Sequence, residues 1–103
     1  MKMIVDALPV LIGYVDKDQR YRYNNRYYEE WFGHSPAWLY GKSLVEVVGE
    51  RAISVRANEI ARTLAGEDVV FEAHLPHKDG CPRQSLMHYL PRRDEHGKVL
   101  GFF

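Results

Sequence analysis

The chain has 103 residues, room for one domain and too few for two ordinary ones, with 46% hydrophobic and 13% aromatic residues to fill a single core. Its 14 Lys plus Arg match its 14 Asp plus Glu, so the basic surplus that phosphate neutralisation asks of a nucleic-acid binder is missing and no nucleic-acid partner is expected. The lone cysteine, Cys81, allows no intrachain disulfide and fits a reducing cytoplasm. No run approaches the roughly 20 apolar residues of a membrane span, so no membrane contact is expected, and no basic-then-apolar start suggests a secretory signal.

In chain order, Met1, Ile4, Val5 and Leu8 fall at i, i+3, i+4 and i+7, which predicts a short leading helix over 1–8, closed by Pro9. Val10 to Val15 is a β-prone run, Asp16 to Gln19 a polar turn, and Arg20 to Tyr23 an alternating strand. Asn25 is expected to cap a helix through Phe32, with Gly33 ending it in a left-handed conformation. Ser35-Pro36 opens a second helical turn, and Ser43 with Glu46 forms a capping box for a third, ended by Gly49. One longer helix is expected from about Glu50, with Ile53, Ala57, Ile60, Ala61 and Leu64 as its apolar stripe. Val69 to Leu75 alternates as a strand, Lys78-Asp79-Gly80 turns, Arg83 to Leu90 returns, and a turn over Asp94 to Gly97 leads into a last strand. The chain stops inside that apolar strand at Phe103, as a domain cut from a longer protein would, and the strand is expected to be cut short there.

Helix, two strands, helices and three strands make an α+β class with a mostly antiparallel sheet. The order of punctuation residues, Asp16, Asn25, Gly33, Gly41, Lys78-Asp79-Gly80, Pro91 and Gly97, resembles the PAS domain family over the whole chain, 1–103. The resemblance implies a five-stranded antiparallel sheet in order 2-1-5-4-3, with short helices over one face and an N-terminal helix. It also implies a cytoplasmic sensor module of a two-component or cyclase signalling protein, such as a sensor histidine kinase, with a covalently linked effector domain. The step that usually leads into an output helix is absent up to Phe103.

Cofactors of such domains leave marks that are missing here. Gly41 to Glu46 holds no thiol for a flavin adduct, Glu50 to Leu64 no histidine for haem iron, and a single cysteine cannot attach haem c. No cofactor is therefore expected, although an unknown small ligand has room. His74 and His77 flank a strand end and could meet a metal, but turn-side surface histidines are the simpler reading; no metal site is expected. Glu29-Glu30 point apart on one helix, and no Gly-x-Ser-x-Gly elbow or phosphate loop occurs, so no catalytic residue is assigned.

Ser85, Met87 and Tyr89 form one face of the returning strand and, by the resemblance, point into a pocket. Tyr23, Phe32, Trp38 and Phe71 are the aromatic candidates to line it with Met87 and Tyr89, plain core packing being the simpler role for each. Leu86 and Leu90 lie on the opposite face and, with Met1, Ile4, Val5 and Leu8, are the candidates for a homodimer contact. A regulatory sensor is the leading reading, ahead of a ligand-free dimerisation domain and a small α+β enzyme.

Overall fold

The structure, a computed structural model, describes residues 9–103. The expected leading helix, with Met1, Ile4, Val5 and Leu8, lies outside the described residues. Strand β1 (Gly13–Asp16) turns into β2 (Tyr21–Asn24), and the turn is held by the Asp16 carboxylate. Its Oδ1 accepts from the amides of Asp18 (2.9 Å) and Arg20 (3.1 Å), which lets the non-glycine Gln19 take φ 62°. The β-prone run before it is shorter than expected: Val10 is exposed and the strand begins only at Gly13.

Helices α1 (Tyr27–Phe32), α2 (Pro36–Leu39), α3 (Leu44–Val48), α4 (Glu50–Ser54) and α5 (Ala57–Leu64) follow. The local signals for α1 to α3 hold. Gly33 closes α1 at φ 82°, Ser35 Oγ accepts from the Trp38 amide, and Ser43 and Glu46 exchange both bonds of the capping box.

Two helical expectations are corrected. Asn25 is not the cap of α1; that position is Arg26, without a side-chain cap bond. The fully buried Asn25 side chain turns the other way, its Oδ1 accepting from the Ile12 amide (3.0 Å) and its Nδ2 donating to the Val10 carbonyl (2.7 Å). The single long helix from Glu50 is two helices, broken at Arg56 (φ −113°, ψ 17°). In a continuous helix the Arg56 amide would bond the Ala52 carbonyl. Here that amide bonds Ile53 instead, and the Arg56 side-chain Nε takes Ala52 at 2.9 Å. The break also rotates the stripe, so that Ala57 and Ala61 are exposed while Thr63 is buried.

Strand β3 (Val69–Leu75) pairs along its full length with β4 (Arg83–Tyr89). The expected five-stranded sheet is drawn differently, as two ladders, β2-β1-β6-β5 and β3-β4. Proline at 91 lacks the amide that an unbroken ladder needs, and the fourth strand bends there into β4 and β5 (Pro91–Arg93). Leu90 bridges the bend, exchanging backbone bonds with Phe103 (3.0 and 2.9 Å) just past β6 (Val99–Phe102). With β4 and β5 taken as one bent strand, the spatial order agrees with the expected one.

Helices α3 to α5 and the inner sheet face enclose a core of Val15, Tyr21, Tyr28, Leu39, Leu44, Val48, Ile53, Ile60, Leu75, Tyr89 and Phe102. Each such aliphatic or phenylalanine side chain contributes roughly 1.5–3 kcal/mol by leaving water. Gly101 permits the close passage of β6 over β1: a Cβ there would collide with the Val15 carbonyl oxygen and lie 2.6 Å from the Tyr14 hydroxyl.

Candidate functional site

The inner faces of β3 and β4 offer Leu75, Ser85, Met87 and Tyr89 to a cavity of about 290 Å³. Alternation places them there, since side chains two apart on a strand share a face. Helix α1 supplies Tyr28, Trp31 and Phe32, α3 supplies Leu44 and Val48, and β6 closes one end with Phe102. Trp31 ties α1 to the β3–β4 hairpin, its indole N–H donating to the Pro76 carbonyl at 2.7 Å and its ring lying edge-on to His77. Tyr28 stacks on Phe32 at 5.6 Å and meets Tyr21 edge to face at 5.7 Å. Gly13 leaves room for the Tyr28 hydroxyl, which lies 2.5 Å from where a Cβ would stand.

The polar side chains among the lining residues are those of Tyr21, Tyr27, Tyr28, Tyr89 and Ser85, with the Trp31 indole, Arg56 and, at one edge, His88. Burial, helped by the neighbouring phenols, pushes the Tyr21 hydroxyl far above the ordinary range, and burial raises Tyr28 and Tyr89 too. All three are neutral O–H groups near neutral pH. Arg56 is 3% exposed. Its Nη1 donates to the Tyr89 hydroxyl at 3.3 Å, and its Nη2 has no hydrogen-bond partner among the described residues. Among the described residues no Asp or Glu lines the cavity, and none there or elsewhere forms an ion pair with Arg56. Glu59 lines, together with Arg56, the groove between α4, α5 and β3, and its charge acts on the Tyr89 hydroxyl.

A bent antiparallel sheet cupping such a cavity beneath short helices agrees with the sequence profile of the PAS fold, which matches residues 5–103. The chain belongs to the PAS fold family. Among solved structures, the PAS domain of a Colwellia psychrerythraea protein superposes with TM-score 0.83 at 17% identity, covering 97% of this chain and 86% of that one. The Vibrio cholerae VqmA–ligand–DNA complex gives 0.83 at 21%, with 97% of this chain but only 46% of VqmA covered. The PAS domain of Bordetella pertussis BvgS gives 0.67 at 20%, covering 99% and 76%. At these identities the likeness concerns the fold alone. No protein of curated function matches the chain. The expected lack of a nucleic-acid partner finds no support here, since VqmA was solved on DNA.

Of the pocket candidates, this PAS domain places Phe32, Met87 and Tyr89 on the cavity wall. Phe71 stands behind Tyr89, edge to face at 5.1 Å, lining the groove toward α4 instead. Tyr23 and Trp38 are corrected outward. Tyr23 lines a separate surface hollow beside Arg26 and Pro36, and Trp38 is 45% exposed, stacked on His34 under the Lys42 ammonium. Leu86 and Leu90 are exposed as expected. His74 is exposed, His77 contacts Asp79 and Trp31, and the Cys81 thiol is free on the surface. The sequence reading missed Tyr21, Tyr28, Trp31 and above all Arg56. Its signal was spacing: 53, 56, 60 and 63 share one helical face, and Ile53, Arg56, Ile60 and Thr63 are all buried.

Proposed function

We propose that this PAS domain is the sensory module of a longer signal-transduction protein, in which occupancy of the cavity by a small molecule biases a covalently linked effector. The cavity carries this reading: apolar and aromatic walls with a few inward polar groups are the usual make-up of a small-ligand site. The effector kinds in view are a histidine kinase, a cyclase or a DNA-binding domain, the last supported by the VqmA complex with ligand and DNA. The module itself is proposed to be regulatory and not catalytic, because among the described residues no carboxylate stands on the cavity wall to act with its phenols as base. With no thiol in Gly41 to Glu46 and no histidine on α4 or α5, the ligand is proposed to be neither haem nor a flavin adduct.

Native mass spectrometry of the protein as purified, beside Met87→Trp, tests this. A retained small mass in the wild type, lost in the filled variant at unchanged circular dichroism, is the expected result. If no mass is retained and no compound of a small-metabolite library raises the melting temperature, the sensory reading falls.

A second reading, dimerisation alone, is favoured by the outer face of β3 and β4, where Val70 (60%), Leu86 (73%) and Leu90 (39%) stand exposed. It requires the chain to sediment as a homodimer with the cavity unliganded.

A further inference from the structure

A guanidinium taken out of water keeps its charge, because its pKa lies too far above neutrality for the proton to leave. Removing an ion from water costs several kcal/mol unless an opposite charge and a full set of hydrogen bonds replace the solvent. Arg56 has been given part of that set. Nε is used by the Ala52 carbonyl and Nη1 by the Tyr89 hydroxyl, while Nη2 stays buried without a partner. Among the described residues the cavity wall supplies no counter-charge: it offers O–H groups, an indole N–H, a thioether, one edge imidazole and apolar carbon. The Arg56 position is also fixed, because Nε stands in for the amide that the α4–α5 break removed from Ala52. A guanidinium held rigidly with one edge unused is prepared for a partner that supplies both an acceptor and a negative charge.

We infer, on the footing of the sensory reading above, that the cavity takes a small planar carboxylate whose head group meets Arg56. One carboxylate oxygen accepts from Nη2, which has less than 1 Å² exposed and is uncovered by a small shift of the wall as the ligand enters. The other accepts from the Tyr89 hydroxyl, which takes its own hydrogen bond from Nη1 and so has its proton to give. Water at Nη2 would complete the hydrogen bond and leave the charge unbalanced; a carboxylate does both. The rest of the ligand is set by the walls. Phe32, Met87 and Phe102 offer apolar surface, and the stacked pair Tyr28 and Phe32 offers ring faces to a flat body. A cavity of about 290 Å³ holds the volume of about ten waters at roughly 30 Å³ each, which is the size of a single aromatic ring with its acid group.

The test is calorimetric titration of the purified chain with benzoate and phenylacetate, against the isosteric neutral benzamide and phenylacetamide. Wild type is expected to bind at least one acid tenfold or more tighter than its amide. Arg56→Met should lose at least tenfold for that acid and little for the amide, while Arg56→Lys, which keeps the charge without the planar edge, should fall between them. If Arg56→Met does not fold, the acid–amide comparison in wild type decides. Amides that bind as tightly as the acids overturn the carboxylate assignment and leave the cavity as a ligand site, a result that Met87→Trp checks by abolishing it. Arg56→Met binding the acids like wild type, or no binding of either acid at millimolar concentration, also overturns it.

Discussion

The guanidinium of Arg56 and the hydroxyl of Tyr89, 33 residues apart in sequence, meet at 3.3 Å inside the core and join the helical layer to the sheet. The bond is charge-assisted and screened by little water, so each partner depends on the other. Tyr89→Phe removes the acceptor and leaves a second guanidinium nitrogen unpaired, at an expected cost of about 1–3 kcal/mol in a denaturant titration. In a double-mutant cycle, Arg56→Met with Tyr89→Phe should lose less than the two single losses added, because no buried charge remains to be satisfied. Strict additivity would remove this pair from the account.

Asn25 ties the segment entering β1 to the start of α1 through two bonds from one buried amide, to Ile12 and Val10. Asn25→Ala strands a backbone donor and a backbone acceptor together, an expected loss of roughly 2–6 kcal/mol at about 1–3 kcal/mol for each. Ser43→Ala, which removes a true cap at an exposed helix start, should cost only about 0.5–2 kcal/mol. Equal losses in the two variants would return Asn25 to the role of a cap.

What the sequence made legible was what is local. Ser35, Ser43 with Glu46, and Gly33 act within a few residues of themselves, so their types and spacings were enough to place three helices. Asn25 has the same chemistry, but its partners lie 13 and 15 residues back, and nothing local separates a cap from a long-range clamp. Hydrophobicity likewise gives a ring's preference and not its direction. Phe32 and Trp38 read alike, yet one lines the cavity and the other is covered outside by Lys42 and His34. The bend at Leu90-Pro91 was marked by a proline whose effect on the ladder depends on which strand lies beside it. Arg56 escaped because a search for apolar stripes passes over a charged residue in register with one.

Gly101 is a steric requirement of the β1–β6 crossing, not a flexible joint. A methyl group there would meet backbone on two sides, the Val15 carbonyl oxygen and Asp16 Cα at 2.8 Å, neither of which can swing aside as a side-chain end would. Gly101→Ala should therefore part the two strands at a cost of about 1–3 kcal/mol or more. Amide exchange checks this locally: the Lys17 amide, bonded to the Leu100 carbonyl at 3.0 Å, should lose protection before those of the β3–β4 ladder.

Acid should destabilise the domain through carboxylates that are bonded only in the folded chain. At Asp16 partial burial alone would raise the pKa, but the Arg22 guanidinium at 2.8 Å and the amides of Arg20 and Asp18 outweigh it and hold it below 3.8. Asp79, bonded by Arg83 and the Cys81 amide, is lowered to about 2, and the capping-box Glu46 is lowered by its bonds to Ser43. Folded values below unfolded ones mean that the folded chain binds fewer protons. The stabilisation is then complete above the ordinary values of 3.8 and 4.5 and is lost as pH falls through the folded ones. Melting temperature should be level near neutrality and fall from about pH 5 toward pH 2. Asp79 and Glu46 are exposed and screened, so most of the slope is assigned to Asp16, whose carboxylate also shapes the β1–β2 turn. Asp16→Asn, which retains the Oδ1 acceptor but not the charge, should melt lower than wild type at pH 7 and lose less between pH 5 and pH 2. Parallel melting curves for the two proteins across that range would place the acid sensitivity elsewhere.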